Sequence, residues 1–193
     1  METLTTLWMP IVLSAALCWI ASAILWMASP LHKHDYKNPG DKEKTIMDFI
    51  RSAGLTQGVY FVPWCHGMDR KSPEYQEKMK NGPFAMVSVM AAPNMGKALG
   101  LWMVNLLLIA CGVAFIAGSA GMDPGAQYMH VFKVCGLIAF IAHAGNAMTI
   151  SIWMGMPWKQ FPGRIVDSLI YGTLSGGAFG WLWPKAAEGL PLP

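Results

Sequence analysis

Five side chains able to hold a metal ion or move a proton fall in the polar part of this chain: His32, His34, Asp35, Cys65 and His66. Imidazole and thiolate together suit zinc or copper, so His32, His34, Cys65 and His66 are the candidate metal ligands. A structural zinc site draws paired ligands from two places at short spacing. Here His-x-His and Cys-His are single fragments, and the plainer role is open beside the first. In that role His32 and His34 sit at a membrane interface, and Cys65 and His66 make a turn after a strand.

Two further histidines, His130 and His143, are thirteen residues apart in one apolar stretch. On a helix they lie about 20 Å apart in depth, a spacing that fits two haem irons. Such irons need partner histidines on another apolar stretch, and the others have none. Asn105, His143, Asn146, Thr149 and Asp167 are polar groups in apolar surroundings. Each is expected to face other helices, a cavity or a neighbour, because an unsatisfied polar group in hydrocarbon costs several kcal/mol. They could form a proton or substrate path or serve as hydrogen-bonded links between helices. No GxSxG, Walker loop, HExxH or paired-carboxylate pattern occurs, so no enzymatic chemistry has a motif behind it.

The elements that position these residues follow from composition. Only 13% of the 193 residues are charged, against about 25% in soluble domains. Ten of the 14 Lys and Arg and seven of the 11 Asp and Glu lie in residues 31–97. The rest is almost free of charge, as lipid demands. A net charge of +3 without a basic run excludes nucleic acid as a partner. Cys18, Cys65, Cys111 and Cys135 form no CxxC pair, which excludes a disulfide framework.

Four stretches are long enough for a spanning helix of about 20 residues: residues 7–29, 97–119, 128–153 and 163–183. The first lacks a basic leading region and is read as a retained helix rather than a secretory signal. Trp8, Trp26, Trp102, Trp153, Trp158, Trp181 and Trp183 cluster near the ends of these stretches, as in an interfacial aromatic belt. The insertion between the first two reads as an amphipathic helix at 41–53, a strand at 58–63, a charged helix at 73–80 and a strand at 84–90. The expected architecture is an all-α membrane protein with four transmembrane helices. Its parts are a first helix in 1–30, a small α+β polar domain in 31–96, and three helices with a short tail in 97–193.

Small residues recur every four positions along the last helix, at Ser168, Gly172, Gly176 and Gly180. Such a ridge lets two helix backbones approach closely, either within the chain or against another one. Ser14, Cys18 and Ser22 repeat the pattern in the first helix, and Ala139, His143, Ala147 and Ser151 in the third. Basic residues concentrate in the insertion and around Lys159 and Arg164, which predicts a cytoplasmic polar domain with both termini outside.

His34-Asp35-Tyr36, GVYFVP at 58–63, KSPEYQEKMKNGP at 71–83, SIWMGMPW at 151–158 and FGWLWP at 179–184 carry a resemblance over nearly the whole length. On these motifs the chain resembles an uncharacterised family of small bacterial four-helix membrane proteins. The resemblance implies a bacterial membrane protein and brings no activity, cofactor or site residue with it; the location expected is the bacterial inner membrane. The function expected is that of a non-catalytic structural or accessory subunit among other membrane subunits, or of a homo-oligomer in the lipid bilayer. The alternative is a metal- or cofactor-binding membrane protein using the histidines and Cys65.

Overall fold

The structure, a computed structural model, describes residues 2–186; the short tail expected at 187–193 lies outside the described residues. It is mostly helical. A short helix α1 (Glu2–Thr6) leads into α2 (Trp8–Ala23), which is extended by a turn of π-helix to Ala28. That turn closes where Ser29 Oγ donates to the Leu25 carbonyl at 2.6 Å and Pro30 follows. The insertion holds α3 (Glu43–Ser52), β1 (Gly58–Val62), α4 (Pro73–Asn81) and β2 (Ala85–Val89). After it come α5 (Met95–Ser119), α6 (Tyr128–Ala144), α7 (Ala147–Trp153) and α8 (Phe161–Leu182).

Three helical segments are long and apolar enough to cross a membrane: Trp8–Ala28, Met95–Ser119 and Tyr128–Trp153. The shortest has 21 residues, or about 32 Å at 1.5 Å per residue, against a hydrocarbon core of about 30 Å. The third segment, expected as one continuous helix, is interrupted between α6 and α7 at Gly145 and Asn146. Glycine and asparagine are weak helix formers, and two in a row end the helix before Ala147 restarts it. α8 has 22 residues, but its first two turns carry Pro162, Gly163, Arg164 and Asp167, and it is less apolar than the other three.

The ends of the insertion's helices have local causes. Ser72 accepts from the Tyr75 amide at 3.2 Å, Pro73 opens α4, and Gly82 closes it at φ +56°. Asn94 caps α5 by accepting from the Lys97 amide at 2.9 Å, satisfying a donor the helix cannot. β1 and β2 pair antiparallel with Gly58 opposite Val89 and Val62 opposite Ala85.

α8 is the central helix of the bundle. Eight of its residues are buried, including Asp167, Tyr171, Gly172, Gly176 and Phe179. One face lies against α6 through glycine: a methyl group on Gly176 would sit 2.6 Å from the Phe132 carbonyl oxygen, and one on Gly172 2.9 Å from that of Gly136. The other face meets α2 through small polar groups. Ser14 Oγ donates to Ser175 Oγ at 2.8 Å, and Cys18 Sγ lies 3.6 Å from the Tyr171 carbonyl. Beyond α8 the chain is pinned to the α5–α6 turn, where Trp183 Nε1 donates to the Asp123 carbonyl at 3.0 Å and Gly125 N to Pro184 O at 2.7 Å.

The insertion is different in kind. From Lys33 to Asn105 no residue is buried, while Phe49, Trp64 and Phe84 are each more than 60% exposed.

Candidate functional site

His32 forms the centre of the most connected polar cluster. It lies four residues beyond Ala28, where the π-helical extension of α2 ends, in a turn where Asp35 N donates to the His32 carbonyl at 3.1 Å. That turn brings the Asp35 carboxylate to 2.8 Å from His32 Nδ1. The opposite ring nitrogen, Nε2, lies 3.0 Å from the Asp167 carboxylate of α8. Room for the ring comes from Gly163, where a methyl group would stand 3.3 Å from His32 Cε1. Trp26 covers one face of the imidazole, with ring centroids 3.9 Å apart and planes within 8°.

His32 is 7% exposed, so this arrangement removes a titratable group and two carboxylates from water. Burial works against its charged form, but the hydrogen bonds and charges of Asp35 and Asp167 outweigh it and hold the imidazole above its ordinary value of 6.5. Protonated, the ring is a cation stacked on an indole, itself a favourable contact. Neighbouring backbone is tied in as well. Lys159 Nζ donates to the His34 carbonyl at 2.9 Å, and Gln160 Nε2 donates to the Asp35 carbonyl. The connection before α8 and the start of the insertion therefore lie together at one end of the bundle.

The four candidate metal ligands do not gather there. Both nitrogens of His32 are engaged with carboxylates that lie on opposite sides of the ring, so no single point is within bonding distance of all three groups. Among the described residues no three His, Cys, Asp and Glu side chains form a group that could hold a metal ion. His34 is exposed, and its carbonyl rather than its ring is used. Cys65 and His66 follow β1, where His66 packs on Trp64 with ring centroids 5.6 Å apart.

Beside the cluster a cleft of about 530 Å³ runs between α2, α5, α6 and α8. Arg164, Asp167 and Ser168 stand along it, and its wall is made by Trp26, Trp102, His143 and Tyr171. The last three pack on one another, His143 to Tyr171 at 4.9 Å and Trp102 to Tyr171 at 6.4 Å between centroids. Trp102 Nε1 donates to Ser22 Oγ at 2.9 Å.

Of the polar residues expected to face other helices, a cavity or a neighbour, Asp167 and His143 line the cleft. Asn105, Asn146 and Thr149 are exposed on this chain. His143, expected to hydrogen bond inside the bundle, packs there on the rings of Trp102 and Tyr171 and has no hydrogen-bond partner among the described residues. Of the small-residue ridge, Gly172, Gly176 and Gly180 lie against α6, and Ser168 lines the cleft. His32 with Asp167 is a pairing that sequence reasoning missed, since 135 residues separate the two and neither belongs to a spaced motif. Comparison with protein families, with curated proteins and with solved structures gives no match for this chain.

Proposed function

We propose that this chain is a non-catalytic accessory subunit of a larger bacterial membrane complex, with four membrane-crossing helices and its insertion on the cytoplasmic side. The observation that carries the reading is the insertion itself. A stretch of more than 60 residues that buries none of them has no core to stabilise it, yet it holds two helices and a two-stranded sheet and exposes Phe49, Phe61, Trp64 and Phe84. Uncovered apolar surface of this kind marks a protein or membrane contact, and helices and strands without a core of their own favour the protein. Asn105, Asn146 and Thr149, exposed on apolar helices, give neighbouring subunits polar groups to bond.

The four-helix topology is supported by the length of α8 and by its packing between α2 and α6, which leaves it no route except alongside them. The cytoplasmic assignment is supported by ten basic residues of the insertion region and by Lys159 and Arg164 at the same end of the bundle. Resemblance to small bacterial membrane proteins supports the inner membrane.

Two measurements test this. Extracted from its own membranes in mild detergent, the chain is expected to migrate well above its 21.1 kDa, and a Phe49→Ser, Phe61→Ser, Trp64→Ser variant is expected to migrate alone with its bundle intact. A wild-type chain that runs as a monomer refutes the subunit reading. In intact cells an impermeant thiol reagent is expected to label Asp123→Cys and not Lys42→Cys; the reverse pattern inverts the topology.

A further inference from the structure

We infer that the cleft between α2, α5, α6 and α8 is a binding site for a neutral, lipid-soluble ring compound that carries hydrogen-bond acceptors, of the prenylated quinone class.

The charges decide against ionic ligands. Arg164 and Asp167, the two charged side chains along the cleft, are opposite in sign, so their charges offset one another and an ion of either sign gains little there. The three rings that form the deep wall already touch one another, so a ligand lies across them rather than between them. Planar rings favour such a surface over saturated chains, because offset and edge contacts add to simple burial.

A hydrogen-bonding group is available. Among the described residues His143 has ring contacts but no hydrogen-bond partner, and it lines the cleft half-buried. A polar side chain on an apolar wall without a partner is costly in lipid, and a carbonyl oxygen of a bound ring removes that cost. The Arg164 guanidinium, which among the described residues makes one hydrogen bond, a long 3.4 Å contact to Gln160 Oε1, can donate to a second acceptor at the polar end.

Access and size agree. The rim carries Met27, Met95 and Leu99, exposed apolar side chains on helix segments that are apolar enough to cross a membrane. A molecule dissolved in the bilayer therefore reaches the cleft sideways. The volume of about 530 Å³ falls among small-molecule sites of about 300–1,000 Å³, enough for one substituted six-membered ring and the start of its tail. The other lipid-soluble occupant, an acyl chain, would offer no acceptor to His143.

The test uses the full chain in lipid nanodiscs, titrated with a labelled benzoquinone bearing one decyl chain. Saturable binding of one molecule per chain is expected, displaced by the unlabelled quinone and not by decylcyclohexane, which has a similar tail but no acceptor. His143→Phe keeps a ring and loses the donor, and is expected to weaken binding about two- to tenfold, the worth of one neutral hydrogen bond. His143→Gln restores a donor and is expected to recover part of that loss. Leu99→Trp narrows the rim without touching the wall and is expected to remove saturable binding. Uptake that rises linearly with quinone, or that is the same in His143→Phe and Leu99→Trp as in the wild type, overturns the proposal. Equal displacement by decylcyclohexane also overturns it, since the cleft then takes any alkyl chain. Should His143→Phe fail to fold, the rim variant and the competitor still decide.

Discussion

Replacing Gly176 with alanine adds one methyl group where α8 lies closest to α6. That methyl would stand 2.6 Å from the Phe132 carbonyl oxygen and 3.1 Å from Gly136 Cα, both backbone atoms that cannot swing aside, whereas ordinary contact begins at 3.4 Å. The two helices must part by about 0.8 Å. A gap of that size forfeits a quarter to a half of each dispersion contact along the shared face, and overpacking of this kind costs about 1–3 kcal/mol. The neighbouring glycine is the control, because a methyl group on Gly177 meets nothing within 4 Å. Gly177→Ala is expected to be neutral or to stabilise by up to about 1 kcal/mol, through the lost backbone freedom of glycine. Reversible unfolding of the purified chain in mixed micelles, followed by helical circular dichroism, measures both. Gly176→Ala is expected to unfold at lower denaturant than the wild type and Gly177→Ala at the same or higher. Equal midpoints for the two variants would show that α8 does not press on α6 at this point, and the packing argument would fail.

The His32 cluster predicts a pH dependence. Because Asp35 and Asp167 hold the folded-state imidazole above 6.5, its contribution to stability is fully present below about pH 6.5 and is lost as pH rises through the raised value. Asp35→Asn removes one of the carboxylates, so the fall is expected at lower pH than in the wild type; unchanged profiles would mean that Asp35 does not support the charge. All four cysteines are free, Cys18 and Cys135 buried and Cys65 and Cys111 half-buried. A maleimide added to the folded chain is expected to modify Cys65 first and to spare Cys18 and Cys135 until unfolding, as read by mass spectrometry of peptides. Labelling of Cys135 at the rate of Cys65 would show that the core between α5, α6 and α8 is open.

The parts of this fold that depend on local pattern were legible in the residues. Three apolar segments announce themselves by length, and the small sheet by two short runs of valine and aromatic residues that became Gly58–Val62 and Ala85–Val89. Ser72, Pro73 and Gly82 mark the ends of α4 because capping chemistry is local. The spacing of Gly172, Gly176 and Gly180 shows a face made for close approach but not what it approaches. Its target is α6, where Gly136 stands between Phe132 and Phe140 and has no partner glycine four residues away. The break at Gly145 and Asn146 was masked by the apolar residues around it. His32 with Asp167 was invisible for another reason: the pairing depends on how the end of α2 meets the start of α8, a tertiary relation that no spacing along the chain encodes. The same holds for the cleft, whose wall takes one ring from each of α5, α6 and α8.

The insertion without a buried residue has a consequence for how the chain comes apart. A bundle held by buried helix faces and a two-stranded sheet held mainly by its own backbone bonds share no core, so nothing obliges them to open together. Their amides are expected to exchange with solvent in two classes, slow in the bundle and fast throughout residues 33–94, because local opening costs little where few apolar contacts are lost. No single free energy of unfolding then describes this molecule. Whatever covers the insertion would bring the fast class toward the slow one, so that slower exchange in β1 and β2 becomes a direct reading of how much of the chain is engaged.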